Sequence, residues 1–131
     1  SPYFKGCIAP KAITTISKAT DVLQIFEGFM DFLSWQTLNP SSTCDTIVLN
    51  SLALLSRIQE KIRGYKQVES FLDNDDAGRK SFDVLKQFCP SIIDGSVRYQ
   101  THKDLNEWLV AQSKIKEKQM LLPTIKRGIR R

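Results

Sequence analysis

Histidine and cysteine are scarce in this chain, and the patterns that would put them to work are missing. One histidine, His102, and three cysteines, Cys7, Cys44 and Cys89, are spread over 131 residues without a C-x-x-C pair. That spacing supplies neither the ligand set of a zinc site nor the even framework of a disulfide-stapled domain. A single imidazole also leaves no Cys/His dyad and no Ser/His/Asp set, and His102 beside Lys103 reads as a surface residue rather than a base. No run of about 18 apolar residues occurs, so no membrane contact is expected. The first residues lack the basic-then-apolar order of a secretory signal, and a cytoplasmic protein is the expectation.

Charge is present in both signs but unevenly placed. From Lys114 to Arg131 seven basic residues face one acid, a net +6, leaving twelve against thirteen, or −1, for everything before it. The length suits one domain with its own core. The organisation read from the sequence is therefore an N-terminal extension over 1–20, a domain over 21–113 and a basic tail over 114–131. Within the tail, Lys126, Arg127, Arg130 and Arg131 are the candidates for phosphate contacts, against the plain alternative of a solubilising end.

Hydrophobic patterning alternates between short apolar runs and helical periods. Val22 to Phe26 reads as a buried strand, followed by a helix over Phe29 to Leu38 with Phe29, Phe32 and Leu33 set inward by the 3.6-residue period. Pro40 ends that helix. Thr46 to Leu49 is a second strand. A helix capped by Asn50 or Ser51 then runs to about Arg63, and Gly64 stops it. Val68 to Leu72 is a third strand, and a helix over Ala77 to Phe88 follows, with Asp76 as its expected cap. Val97 to Tyr99 is expected as a fourth strand, before a helix opening at Asp104. Strand and helix in alternation imply an α/β fold: a parallel sheet of about four strands with helices on both faces. The segment from Tyr3 to Ile8, through Thr14 to Ile16, reads as an added short strand pair.

Carboxylates gather where the strands end. Glu27 follows the first strand, Asp73 and Asp75 follow the third, and Asp104 follows the expected fourth. In open α/β sheets, ligands bind beyond the carboxyl ends of the strands. Asp31 lies one helical turn beyond Glu27. Each acid has a plain explanation on its own: Asp104 with Glu107 makes a helix cap, and Glu27 and Asp31 can offset a helix dipole. Jointly, carboxylates on one rim repel, and a hard divalent cation that takes oxygen ligands is the better account. Trp35, Tyr65 and Trp108 read as core aromatics rather than base-stacking platforms.

The wording Phe26-Glu27-Gly28-Phe29-Met30-Asp31, then Leu72-Asp73-Asn74-Asp75-Asp76-Ala77-Gly78, then Lys103-Asp104-Leu105-Asn106, resembles the Toprim domains of bacterial-type DNA primases, type IA and type II topoisomerases and certain nucleases. The resemblance covers about Leu23 to Leu109 and is nearest the primase-like branch, with its phage and mobile-element proteins. It implies a Toprim-like, Rossmann-like sheet and a Mg2+ (or Mn2+) site. Glu27 would be general acid/base or metal-bound, Asp73 and Asp75 metal ligands, and Asp31 and Asp104 supporting acids. Arg79, Lys80 and Lys103 would face nucleotide or template.

The chain departs from the family pattern at Asn106, where many relatives have a second acid, and at Asn50-Ser51-Leu52-Ala53, where a glycine is common. Primases also carry a zinc module and a further catalytic subdomain that do not fit here. The implied function is the metal-binding part of a primase-like nucleotidyltransferase in DNA replication or mobile-element maintenance, a piece of a larger chain or a minimal version. Its partners would be single-stranded DNA, an RNA primer and nucleotides, with an upstream zinc-binding domain or a helicase. The alternatives are a Toprim nuclease and a non-catalytic nucleic-acid-binding module.

Overall fold

Three segments, Val22–Phe26 (β2), Asp45–Val48 (β3) and Gln67–Phe71 (β4), are buried along nearly their whole length, as parallel strands covered on both faces must be. The computed structural model describes residues 12–130, and side chains as far as residue 119. It places these strands at the centre of a sheet completed by Thr14–Ile16 (β1) and Ile93–Asp94 (β5), in the order β1-β3-β2-β4-β5. β2, β3, β4 and β5 are parallel, with Leu23 opposite Asp45 and Phe26 opposite Phe71, and β1 is antiparallel to β3. The expected parallel sheet is thus present, and β1 is the described half of the expected strand pair. Tyr3 to Ile8 lie outside the described residues.

Helices cover both faces because alternate strand residues point to opposite sides. Leu23, Ile25, Ile47, Val68 and Leu72 form one core with Ile58, Ile62 and Leu85. These last three come from a 3-10 helix over Leu52–Ile58, from Gln59–Arg63 (α2) and from Asp76–Phe88 (α3). On the other face Phe26, Val48 and Phe71 pack with Phe32, Tyr99 and Leu105, under Phe29–Leu38 (α1) and Leu105–Arg130 (α4). The rings of Phe26 and Phe71 stack at 4.8 Å, and Trp35 lies 4.5 Å from Phe71. Trp35 and Trp108 are packing aromatics, as expected, and Tyr65 packs on the first core.

Four local expectations need correction. Val97 to Tyr99 is not a strand but part of a 3-10 helix over Gly95–Tyr99, and the fourth parallel strand is β5. Asp94 causes the difference: its Oδ1 accepts from the Ser96 amide at 3.0 Å and starts the helical turn. The cap of α3 is Asp75, not Asp76, since Asp75 Oδ1 accepts from the Gly78 amide at 2.8 Å. The helix expected from Ser51 to Arg63 divides at Ile58 into a 3-10 and an α segment, although Ser51 does cap it. Phe29 and Leu33 are exposed, at 46% and 41%. α1 buries Phe32 as expected, but Asp31 and Ser34 in place of Phe29 and Leu33, because Ser34 Oγ donates to Asn106 Oδ1 at 3.0 Å and turns that side of the helix toward α4.

Candidate active site at the carboxyl ends of the strands

The backbone of Glu27 is held from both sides just past β2. Its amide donates to Phe71 O at 3.3 Å, and its carbonyl accepts from the Asn50 amide at 2.9 Å. Asn50 turns the chain after β3 with a left-handed φ of 61°, a conformation that asparagine tolerates better than most side chains. Its Nδ2 donates to Ala12 O at 2.8 Å and ties the turn to the segment leading into β1. The glycine expected at this place by resemblance is replaced by a residue that can adopt the same backbone.

Asp73 follows β4, and its amide donates to Glu27 Oε1 at 3.0 Å. The Asp73 side chain shares its cleft with the Glu27 carboxyl. Burial, then the charges of Glu27 and Asp31, raise the Asp73 carboxyl to about 8, with a smaller contribution from Asp104. Asp31, buried in the first turn of α1, is raised to about 6, chiefly by burial. The Asn106 amide, donating to its Oδ1 at 3.2 Å, opposes that rise, and the charge of Asp104 adds to it. The charges of Glu27, Asp31 and Asp104 thus bear on Asp73 although the four acids come from three separate segments of chain.

Glu27, Asp31 and Asp73 line a cleft of about 410 Å³ together with Asn50 and Ser51. Asp104 caps α4 by accepting from the Glu107 amide at 2.7 Å, and it lines a neighbouring cleft of about 550 Å³ with Asn106, Val110 and Lys114. Asp75 lines neither cleft, and its Oδ1 is taken by the capping bond with α3. Gly78 explains how tightly that turn is wound: a Cβ there would sit 2.1 Å from the Asp73 carbonyl oxygen. Only glycine lets the first turn of α3 lie against the acidic residue without displacing it.

Among the basic candidates, Arg79 is engaged. It donates to Asn74 Oδ1 at 2.6 Å, to Asp94 Oδ2 at 3.3 Å and to Ser96 Oγ at 3.4 Å. Lys80 and Lys103 are exposed. The side chains of Lys126, Arg127, Arg130 and Arg131 lie outside the described residues. His102 is half-buried, with Nδ1 3.0 Å from Thr101 Oγ1. Sequence reasoning did not single out Asn74 or the Asn106 amide, and it had no signal for them, since both act through hydrogen bonds to residues distant in the chain.

The donor chemistry fits a hard cation: carboxylate oxygens that repel one another, in a cleft shared with an amide and a hydroxyl side chain. Among the described residues, however, no three His, Cys, Asp or Glu side chains are gathered closely enough to form a finished metal shell. A magnesium ion would thus be held by one or two carboxylates, with water and substrate oxygens filling the remaining positions.

A largely parallel, doubly covered α/β sheet with acids at the carboxyl-end crevice defines the class: an α/β domain of the type that binds ligands where its strands end. Within that class the chain belongs to the Toprim-like family, whose sequence profile matches residues 24–109. Two solved structures share the fold. One is the primase fragment of the bacteriophage T7 primase–helicase, with a TM-score of 0.58 and 20% identity over 73% of this chain and 42% of that one. The other is a complex of the T7 lagging-strand DNA polymerase with primase domains bound to an RNA/DNA hybrid and dTTP. There the TM-score is 0.56 and the identity 18%, over 75% of this chain and 52% of that one. This chain thus spans about half, or less, of the primase chains it resembles. No curated protein matches it. No helix among the described residues is long and apolar enough to cross a membrane.

Proposed function

We propose that this domain supplies the magnesium-dependent acidic centre of a primase-like nucleotidyltransferase, acting in DNA replication or mobile-element maintenance as part of a larger chain. The observation that carries the reading is the convergence of Glu27, Asp31 and Asp73 on one cleft, with Asp73 and Asp31 held well above ordinary carboxylates. Such a cost to charge is relieved when a cation binds. Glu27 and Asp73 are the residues that would hold Mg2+ or Mn2+, Asp75 could add the oxygen not used in capping, and Asp31 and Asp104 would reinforce the field. The bound ion supplies charge neutralisation and alignment for attack of a 3′-oxygen on a nucleoside triphosphate.

Glu27, fixed through its backbone on both sides, would move the proton of the attacking hydroxyl. Lys80, Lys103 and the four basic residues of the tail would meet single-stranded DNA, an RNA primer or nucleotides; Arg79 reaches that role only by leaving its present partners. The T7 primase domains bound to an RNA/DNA hybrid and dTTP support nucleic acid and nucleotide as ligands here, and the T7 primase–helicase supports a helicase as a companion domain; an upstream zinc-binding module and a cytoplasmic setting complete the reading. The test is template-directed primer synthesis with magnesium, carried out by the chain joined to its natural flanking domains. Synthesis that stops with chelator and in Asp73→Asn supports the reading. Metal-dependent nicking of DNA without nucleotides would replace it with a nuclease, and nucleic-acid binding unchanged by chelator, with neither activity, with a binding module.

A further inference from the structure

Asn74 stands between the two aspartates of the β4 turn, and every polar atom of its side chain is spoken for. Its Nδ2 donates to Tyr99 O at 2.9 Å and to His102 O at 3.0 Å, and its Oδ1 accepts from Arg79 at 2.6 Å. Its backbone amide donates to Lys103 O at 2.6 Å. Tyr99 reinforces the same junction from the other side, its hydroxyl donating to Leu72 O at 2.7 Å. The segment so held leads directly into Asp104, the cap of α4, and two residues later the Asn106 amide meets Asp31.

We propose that Asn74, clamped by Arg79, is a positioning residue for Asp104: it pins the 99–103 segment to the end of β4 and so delivers Asp104 and the first turn of α4 to the carboxylate rim. Asp104 is the acid with the least support of its own, since it follows a loop and not a strand of the sheet. The chemistry selects asparagine. Nδ2 faces carbonyl oxygens, which a carboxylate would repel, while Oδ1 faces a guanidinium. Aspartate at 74 would keep the size and the Arg79 interaction but lose the donor, so the loop would be released while the neighbouring turn survives. Arg79 acquires a role in this scheme without touching nucleic acid, orienting the amide so that its NH2 faces the loop.

The inference rests on the reading of the rim as a metal centre only in its second test. The first is amide hydrogen exchange on the metal-free 131-residue chain carrying Asn74→Asp. The Asn106 and Glu107 amides, which depend on the placement of α4, should exchange about tenfold faster, the effect of losing one buried hydrogen bond. The Gly78 amide, capped by Asp75 in the same turn, should stay within about twofold. Should Asn74→Asp not fold, Arg79→Gln loosens the same amide and should give the same pattern in weaker form. Loosening at Gly78 with Asn106 and Glu107 unchanged overturns the proposal, because Asn74 would then serve only its own turn.

The second test is a double-mutant cycle on Mn2+ affinity measured by calorimetry. Asn74→Asp should weaken binding about tenfold, the scale of disturbing an outer residue that supports a metal site. In an Asp104→Asn background the same change should add almost nothing, since its route of action is gone. Additive effects overturn the proposal. Absence of Mn2+ binding in the unmutated chain counts against the metal centre and leaves positioning to be judged by exchange.

Discussion

Asp45 and Asp73 are carboxylates at opposite ends of the same parallel sheet, and the molecule treats them in opposite ways. Asp45 opens β3 at the amino end and is surrounded by donors: the Lys18 amide at 2.7 Å, the Thr20 hydroxyl at 3.1 Å and amide at 3.3 Å, and the Tyr65 hydroxyl at 2.6 Å. These bonds, led by Tyr65, lower its carboxyl to about 2, and the same bond to Asp45 raises the Tyr65 hydroxyl to about 12. Asp73 at the carboxyl end is pushed upward, first by burial and then by the charges of the acids around it. A carboxylate ringed by donors stabilises the fold by being charged, whereas one ringed by carboxylates is destabilising unless a cation or a proton arrives. The second arrangement persists only where it is useful, which is why the rim and not Asp45 is the candidate centre.

Neutralising the two residues separately should break the symmetry between them most sharply. Asp73→Asn should reduce metal-dependent activity by at least about a hundredfold. In metal-free protein at pH 8 the same change should raise stability by about 1 kcal/mol, a figure reduced for solvent screening at this partly exposed group. Asp45→Asn should lower the unfolding midpoint and leave the activity of the folded fraction intact. Urea unfolding alongside an activity assay reads both, and stability changes of the same sign in the two variants would show the contrast to be false.

The pH dependence should divide the two ends next. Asp31 and Asp73 bind protons more tightly folded than unfolded. Their favourable share of stability is therefore complete below about pH 4 and lost as pH rises through about 6 for Asp31 and about 8 for Asp73. Asp45 acts in the other direction: its contribution is present above about pH 4 and lost as pH falls toward 2. Millimolar Mg2+ should thus raise the melting temperature more at pH 8 than at pH 5, and this difference should vanish in Asp73→Asn but remain in Asp45→Asn. An equal magnesium effect at both pH values would remove the rim from consideration.

Much of this contrast was legible on one side only. Glu27, Asp31 and Asp73 stand at the ends of strongly apolar runs or one turn beyond, so period and position alone point to their rim. Asp45 gives no such signal, because its partners lie 20 to 27 residues away and include backbone amides. The same blindness explains the errors over Val97 to Tyr99 and over the cap of α3. Val97-Arg98-Tyr99 has strand composition, but a side-chain bond from Asp94 decides the local conformation. Asp75 and Asp76 are chemically alike, and the close approach of Gly78 to Asp73 selects which one caps. Phe29 and Leu33 looked inward because the period rewards hydrophobicity, whereas α1 is turned by polar contacts to α4.

The smallest effect expected concerns the basic tail, which should bear on nucleic-acid affinity and on neither carboxylate. Deleting residues 126–131 should flatten the salt dependence of single-stranded DNA binding, by about 0.7 in log–log slope for each phosphate no longer neutralised. Magnesium-induced stabilisation should be untouched. A truncated chain with unchanged slope would assign the tail to solubility alone.

Among the described residues the sheet ends in strands of three residues at β1 and two at β5, while the parallel strands between them have four or five. A bare outer strand is a template on which another polypeptide can add its own backbone, and short borders offer such an intruder few bonds. Brevity at both described margins lets a sheet whose interior strands are rich in β-branched and aromatic residues stay at high local concentration without seeding fibrous stacks of itself.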